Sequence, residues 1–496
     1  MRPDLHTLIP LFIALPLTVS VLIQLFARRR WVLAAWLACL TMLVMMLMSL
    51  ATIGAARGDE VIYSMGGWPT PVGIDLRMDA LTTLLVVLIN TVGLAVVVYA
   101  VDYMRRYTAR PRFYSLFLLM VTGMNGVVMT GDLFNLYVFL EISAIASYAL
   151  VAFGCEREEL EASFKYIVLG SVSSSLILIA LALMYGVTGA LNMAQVSARI
   201  ADIGMDAPLL LAFGLFICGF AFKAALVPFH AWLPDAHPAA PAPVSALLSG
   251  VLIKAIGVYV LARLIFNVFG AAPNVLQLLL WLGLLSMVVG ALMALGQRDI
   301  KRMFAYSSIS QIGFIVLGLG LATPLGLVGA LFHLLNHAFF KSLLFLNAGA
   351  IEFATGQRRL DRLGGLNRSL PVTAVTSLVG SMSIAGIPPF NGFWSKLIIV
   401  LACIQAGHYG FALAAVLVSI VTLAYQLKMQ REAFFAAPPD GMVQVRREPR
   451  LMALAMILLA LGCVALSFAV IPGLGDPWLV GDAQAVLSSG TFGGQP

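Results

Sequence analysis

The stretch GFAFKAALVPFHAWLPDAH, residues 219–237, sets Lys223 inside an apolar run and then interrupts that run with Pro228 and Pro234. The run begins near residue 208 and is long enough to match the hydrocarbon thickness of a bilayer, which needs about twenty apolar residues. Proline removes a backbone donor and frees a carbonyl, tolerated at membrane depth only where protein or water satisfies the freed group. The stretch therefore reads as a broken membrane-spanning helix carrying a charge. Similar runs fill the chain. Of 496 residues, 61% are apolar and 11% charged, where soluble domains carry roughly a quarter charged residues. Taking apolar runs between polar breaks gives an all-α polytopic membrane protein of about fourteen helices, near 5–26, 31–53, 79–102, 113–130, 132–153, 162–187, 208–232, 241–268, 274–295, 301–321, 325–350, 371–405, 409–434 and 451–472. The longest loops, 54–78 and 435–450, leave no room for an extramembrane domain.

The net charge of +7 does not form a nucleic-acid face, because the basic residues lie in short loops between apolar runs. Loops after odd-numbered helices, with their flanks, collect 21 of the 30 lysines and arginines; Arg2, Arg57, Arg77, Arg199 and Arg263 fall on the other side. The positive-inside rule then sets both termini outward, in a bacterial or archaeal cytoplasmic membrane. The five cysteines are scattered and form no CxxC pair, so neither a disulfide framework nor an iron–sulfur site is expected. The first apolar run holds Pro10 and Pro16 and leads straight into a second span, so it reads as helix 1 rather than a cleaved leader. Four lysines are left in mid-membrane: Lys223, Lys254, Lys341 and Lys396.

A buried charge is costly unless paired, so each such residue marks either a structural ion pair or a transport path. Glu141, midway along the fifth helix in DLFNLYVFLEISAIASYAL, is the natural partner for Lys223. A carboxylate that approaches or leaves a desolvated lysine changes its hold on a proton, so the pair is a candidate switch. Lys254 sits about a dozen residues from either end of its helix, roughly 18 Å at helical rise, too deep to snorkel. His333, His337 and Lys341 recur at i, i+4 and i+8, which stacks three titratable groups along one helical face. Two histidines at that spacing also suit zinc. The third position is a lysine, however, and no thiol or carboxylate neighbours it, so no metal is expected and a proton path fits better. Lys396 follows the Pro388–Pro389 break and is read as the exit end. His230, Asp235 and His237 are either loop residues or a cytoplasmic-side entrance.

PFHAWL, from Pro228, has an echo in PFNGFW, from Pro389, 161 residues on. The same offset carries the start of helix 4 onto that of helix 9. Five helices per unit is odd, so the two copies run inverted, a layout of many transporters. No P-loop, Rossmann glycine pattern, haem attachment motif or cysteine cluster is present, so no cofactor is expected and the driving force comes from an ion gradient or a partner.

Four segments together carry a family resemblance: GDLFNLYVFLEI (131–142), FKAALVPFHAWLPDAHPAAPAPVSALLSGVLIKAIGVY (222–259), NHAFFKSLLFLNAG (336–349) and GIPPFNGFWSKL (386–397). They resemble the antiporter-like subunits: the D-type chain of multisubunit Mrp-type Na+/H+ antiporters, to which the wording is most similar, and the proton-pumping membrane subunits of respiratory complex I and membrane-bound hydrogenases. The resemblance implies helices 1–3 over 1–112, two inverted five-helix repeats over 113–268 and 274–434 with helices 7 and 12 broken at Pro228 and at Pro388–Pro389, and helix 14 with a tail over 435–496. It implies a proton relay of Glu141, Lys223, Lys254, His333, His337, Lys341 and Lys396, with other membrane subunits as partners and protons, with Na+ as the candidate counter-ion, as cargo. The chain is then a transporter subunit, or the non-catalytic pump arm of a redox-driven complex.

Overall fold

A computed structural model describes residues 5–53, 60–439, 445–469 and 478–489. The helices that cross the bundle are α1 (Leu11–Phe26), α2 (Trp31–Ile53), α3 (Ala80–Tyr103), α4 (Arg110–Met129), α5 (Leu133–Val151), α6 (Arg157–Thr188), α7, α8 (Ala242–Val268), α9 (Pro273–Leu295), α10 (Ile300–Gly320), α11 (Pro324–Thr355), α12, α13 (Tyr409–Gln430) and α14 (Arg450–Phe468). Twelve helices among the described residues are long and apolar enough to span a membrane. The other two crossings are interrupted: α7 consists of Ala207–Lys223 and Leu233–Ala239, and α12 of Pro371–Ala385 and Asn391–Gln405. The protein is a polytopic all-α membrane protein, as expected.

Local chemistry fixes the ends. Asp132 caps α5 by accepting from the Asn135 amide at 2.7 Å, and Asp299 caps α10 by accepting from the Arg302 amide at 3.0 Å; each satisfies one orphan donor of a first turn. α6 starts at Arg157 on a capping box between Glu156 and Glu159. Such a box holds a helix beyond the apolar limit, which is why α6 starts before the expected residue 162. Gly189 and Gly356, both left-handed, end α6 and α11 after 32 residues each. Loop 130–132 pairs with Asn192 beyond α6, and Asp299 pairs with Arg359 beyond α11. The expected loop 54–78 instead holds a hairpin of β1 (Val61–Ser64) and β2 (Asp75–Met78); residues 54–59 lie outside the described residues, as do 470–472 of the last expected helix.

The windows of α8 and α10 are buried on all sides, the mark of central helices. α9 reaches α10 backbone to backbone: a Cβ on Gly290 would stand 2.5 Å from the Ser310 amide nitrogen, and one on Gly313 2.5 Å from that of Met287. Small residues permit this approach where no hydrophobic drive separates lipid from protein. Outer faces of α1 and α2 keep large apolar side chains such as Leu25 and Trp36 exposed, as lipid or partner contact demands.

The two breaks are satisfied by protein groups. At the first, Trp232 Nε1 donates to the Phe222 carbonyl at 3.2 Å and the Val227 amide donates to Ser286 Oγ at 2.9 Å. At the second, Asn336 Nδ2 of α11 donates to the Asn391 carbonyl at 3.0 Å, and Asn391 Nδ2 returns a bond to Asn336 Oδ1 at 3.1 Å. Pro228, Pro388 and Pro389 all lie at the exposed side of their breaks, and the bonds preceding Pro228 and Pro389 are cis.

Candidate functional site

Lys223 is the last residue before the α7 break. Its ammonium donates to Ser174 Oγ of α6 at 3.0 Å, Ser174 in turn donates to Glu141 of α5, and Nζ stands 4.0 Å from Glu141 Oε1. The lysine side chain is 3% exposed and the carboxylate 28%, so the anion of this pair alone reaches the side of the bundle. A serine thus stands between the expected partners and bonds both.

The remaining relay candidates meet along α10. Lys301, Phe304, Ser308, Gln311 and Phe314 recur at steps of three and four, which places them on one face. Lys341 of α11 donates to the Phe304 carbonyl at 2.8 Å. Ser308 shares a 2.7 Å hydroxyl bond with Ser249 of α8, whose carbonyl accepts from Lys254. That carbonyl is five residues back along α8, within the π-helical turns Leu248–Leu252 and Lys254–Tyr259; wide turns of this kind recur where a helix serves function. Gln311 Oε1 lies 3.2 Å from His333 Nε2, and His333 Nδ1 lies 2.9 Å from Ser395 Oγ. Next in sequence, Lys396 donates to the Ile384 carbonyl at the α12 break at 2.8 Å, with its ammonium 4.7 Å from the Phe314 ring centroid, a cation–π distance.

His337 lies one turn from His333, ring centroids 6.4 Å apart, with Phe340 beside both. Among the described residues neither ring nitrogen of His337 has a hydrogen-bond partner, nor has either of His237, which is wholly buried 4.6 Å from the Phe345 ring. Buried polar atoms almost always find partners, so these four nitrogens beside a charged row stand out as groups free to take up or release a proton. The entrance candidates are dispersed: His230 is half-buried with Nδ1 unpartnered, and Asp235 lies at the surface, ion-paired to Lys165 at 3.1 Å and Arg302 at 3.4 Å. Among the described residues no hydrogen bond joins the Glu141–Ser174–Lys223 triad to Lys254. The link there is steric: a Cβ on Gly257 would stand 2.6 Å from the Ala224 amide nitrogen, so α8 presses on the residue that follows Lys223.

Three basic residues read as loop charges are in fact buried: Arg77 of β2, Lys301 and Arg263. Lys301, in the first turn of α10, is 2% exposed and sits 2.6 Å from Glu352 of α11. Arg263, near the end of α8, is paired with Asp79 and lies 3.1 Å from the Tyr259 hydroxyl. Both sit at helix ends, where sequence position alone cannot tell a lining group from a loop charge. Ser308 and Gln311 carry no charge to single them out in sequence; their signal is a cluster of polar residues, Ser307, Ser308, Ser310 and Gln311, inside a buried helix. At the surface beside Lys301, Arg359 bonds Asp361 at 2.8 Å and its hydrogen bond and charge hold that carboxyl below the usual range.

Fold and site together define a polytopic helical membrane protein with a row of ionisable side chains enclosed in its bundle. Residues 130–422 match the NADH:quinone oxidoreductase/Mrp antiporter transmembrane family, and residues 68–114 match the N-terminus of chain 5 of NADH-ubiquinone oxidoreductase, complex I. The chain belongs to the NADH:quinone oxidoreductase/Mrp antiporter family. It is 38% identical over 482 residues to the N-type chain of NADH-quinone oxidoreductase from Desulforudis audaxviator, covering 94% of this chain and 95% of that one. It is 32% identical over 470 residues, with the same coverage, to the D-type chain of the Na(+)/H(+) antiporter from Alkalihalophilus pseudofirmus. Two solved structures superimpose at a TM-score of 0.90: the Mrp complex from Dietzia sp., 30% identical and covering 98% of each chain, and the membrane-bound sulfane sulfur reductase, an archaeal respiratory membrane complex, 32% identical and covering 97% of each.

Proposed function

We propose that this chain is the proton-translocating subunit of a multisubunit monovalent cation (Na+)/H+ antiporter complex. Protons move along Glu141, Lys223, Lys254, Lys341, His337, His333 and Lys396, with no cofactor step. The observation that carries this reading is one face of α10, which hydrogen-bonds groups from α8 and α11 and meets Lys396 of α12 at the Phe314 ring, turning scattered charges into a row. Histidine between lysines is suited to hopping because one ring nitrogen can accept a proton while the other releases one. Glu141 acts as the movable counter-charge of Lys223: as it swings toward or away from Ser174, the lysine's hold on its proton rises or falls.

The row lies within two inverted five-helix repeats, 113–268 and 274–434, flanked by helices over 1–112 and 435–496. Three parallels support that division: the matching Asp caps of α5 and α10, the equal lengths of α6 and α11, and the strand-like pairings beyond each. The chain sits in a bacterial or archaeal cytoplasmic membrane with both termini outward, as its basic loops favour, and works beside other membrane subunits. A second reading, the proton-pumping arm of a redox-driven complex, is favoured by the NADH-quinone oxidoreductase relative and by the archaeal respiratory complex of matching fold.

Lys223→Ala and Glu141→Ala, each introduced in the intact complex, test the relay. Both are expected to abolish proton-coupled transport in membrane vesicles while native gels show the complex assembled. Normal transport by both contradicts it. Identification of the other chains in the purified complex separates the readings: small hydrophobic subunits alone for the antiporter, iron–sulfur or quinone proteins for the redox complex.

A further inference from the structure

A cavity of about 540 Å³ opens at the end of the bundle that carries Arg298, Arg358 and Arg359, and it reaches Lys301 and Glu352. Nine-tenths and more of that lysine is enclosed, yet its partner carboxylate keeps 19% of its side chain exposed. Both residues line the cavity, the lysine the more enclosed of the two. Glu352 meets Lys301 from α10 at 2.6 Å and the Tyr103 hydroxyl from α3 at 3.4 Å; Arg106 bonds that hydroxyl at 3.0 Å, and Arg358 approaches from beyond α11. Glu159 of α6 and Tyr107 line the same cavity. Lys301 also donates to the Ala240 carbonyl at 3.2 Å, at the cavity wall and three residues past His237, whose two ring nitrogens are unpartnered among the described residues. Lys301 also opens the polar face of α10 that leads to Lys341 and Lys254.

We propose that the Lys301–Glu352 pair is the proton-loading site of the row, in place of the surface residue Asp235. This rests on the relay reading above. A hydronium in the cavity gives its proton to the Glu352 carboxylate and leaves as water. With its anion neutralised, the Lys301 ammonium passes a proton through water to a ring nitrogen of His237. Neutral Lys301 then takes the proton held by Glu352, which restores the ion pair and leaves one proton on His237. No electrons move and each bond broken to hydrogen is replaced by another.

The test uses vesicles carrying the complete complex, with proton-coupled transport measured for Glu352→Gln, Glu352→Asp, Asp235→Asn and Lys254→Ala. Glu352→Gln is expected to lower the rate by roughly tenfold or more, given that positioned proton-transfer groups contribute about 10²–10⁴-fold. Glu352→Asp should recover most of it with a shifted pH profile, and Asp235→Asn should stay within about twofold. Parental rates in Glu352→Gln beside a dead Lys254→Ala overturn the loading site and leave the relay standing; parental rates in both overturn the relay itself. Should Glu352→Gln not assemble, Glu352→Cys in the intact complex decides: labelling by a membrane-impermeant maleimide from the Arg358 end, above the parent's own cysteines, supports the site, and protection overturns it.

Discussion

Lys223 and Lys396 both stand beside a broken helix, yet they are held in opposite ways. Lys223 has an anion, Glu141, reached through Ser174 and partly open to the side of the bundle. Among the described residues Lys396 has no carboxylate partner; it is held by the Ile384 carbonyl and the face of Phe314. A carboxylate on a flexible side chain moves without disturbing the fold, whereas a helix-end carbonyl moves only with its helix. The difference is that one break sets its charge beside a carboxylate on a flexible side chain, and the other sets it among backbone dipoles.

The largest effect follows from reversing the anion. Glu141→Lys sets two ammonium groups about one serine, and breaking a buried pair costs about 3–5 kcal/mol. Thermal unfolding of the detergent-solubilised complex should therefore fall sharply and recover when Lys223→Glu is added; a double variant as unstable as the single one breaks the contrast. Next, Ser308→Ala combined with Gln311→Leu removes no charge but cuts the α10 face in two places. Proton-coupled transport should drop by roughly tenfold, and an unchanged rate means the row does not pass α10. Asn336→Leu removes the side-chain partner of the α12 break and leaves the buried Asn391 side-chain amide without its acceptor, at a cost of about 1–3 kcal/mol. Its melting temperature should fall, while a change of that size from Ser286→Ala would show the two breaks to be equally dependent on side chains. Smallest is Asp361→Asn at the exposed Arg359 pair, expected to leave both melting and transport unchanged, as surface ion pairs commonly do.

Much of the fold was legible because bilayer thickness dictates helix length, so apolar runs such as 31–53 and 274–295 appear nearly as read. Pro228 and Pro388–Pro389 announced the two breaks, since proline cannot continue a hydrogen-bond ladder. Helix ends were less legible at α6, where Glu156 and Glu159 extend the helix into a polar sequence. For the site, charge deep in an apolar run singled out Glu141, Lys223, Lys254, Lys341 and Lys396. Ser174, Ser308 and Gln311 escaped because an uncharged polar residue inside a membrane helix is common, and only its neighbours reveal what it bonds. Lys301 and Arg263 escaped because their depth depends on how α8 and α10 sit among other helices, which spacing along one chain does not encode.

Lys254 is wholly buried and, among the described residues, its hydrogen bond goes to its own helix, so Lys254→Met keeps the bulk of the side chain and removes the charge alone. Proton-coupled transport by vesicles carrying the intact complex should then fall by about a hundredfold with assembly and melting preserved. Transport at the parental rate would mean that protons cross this protein by a route that avoids its buried lysines.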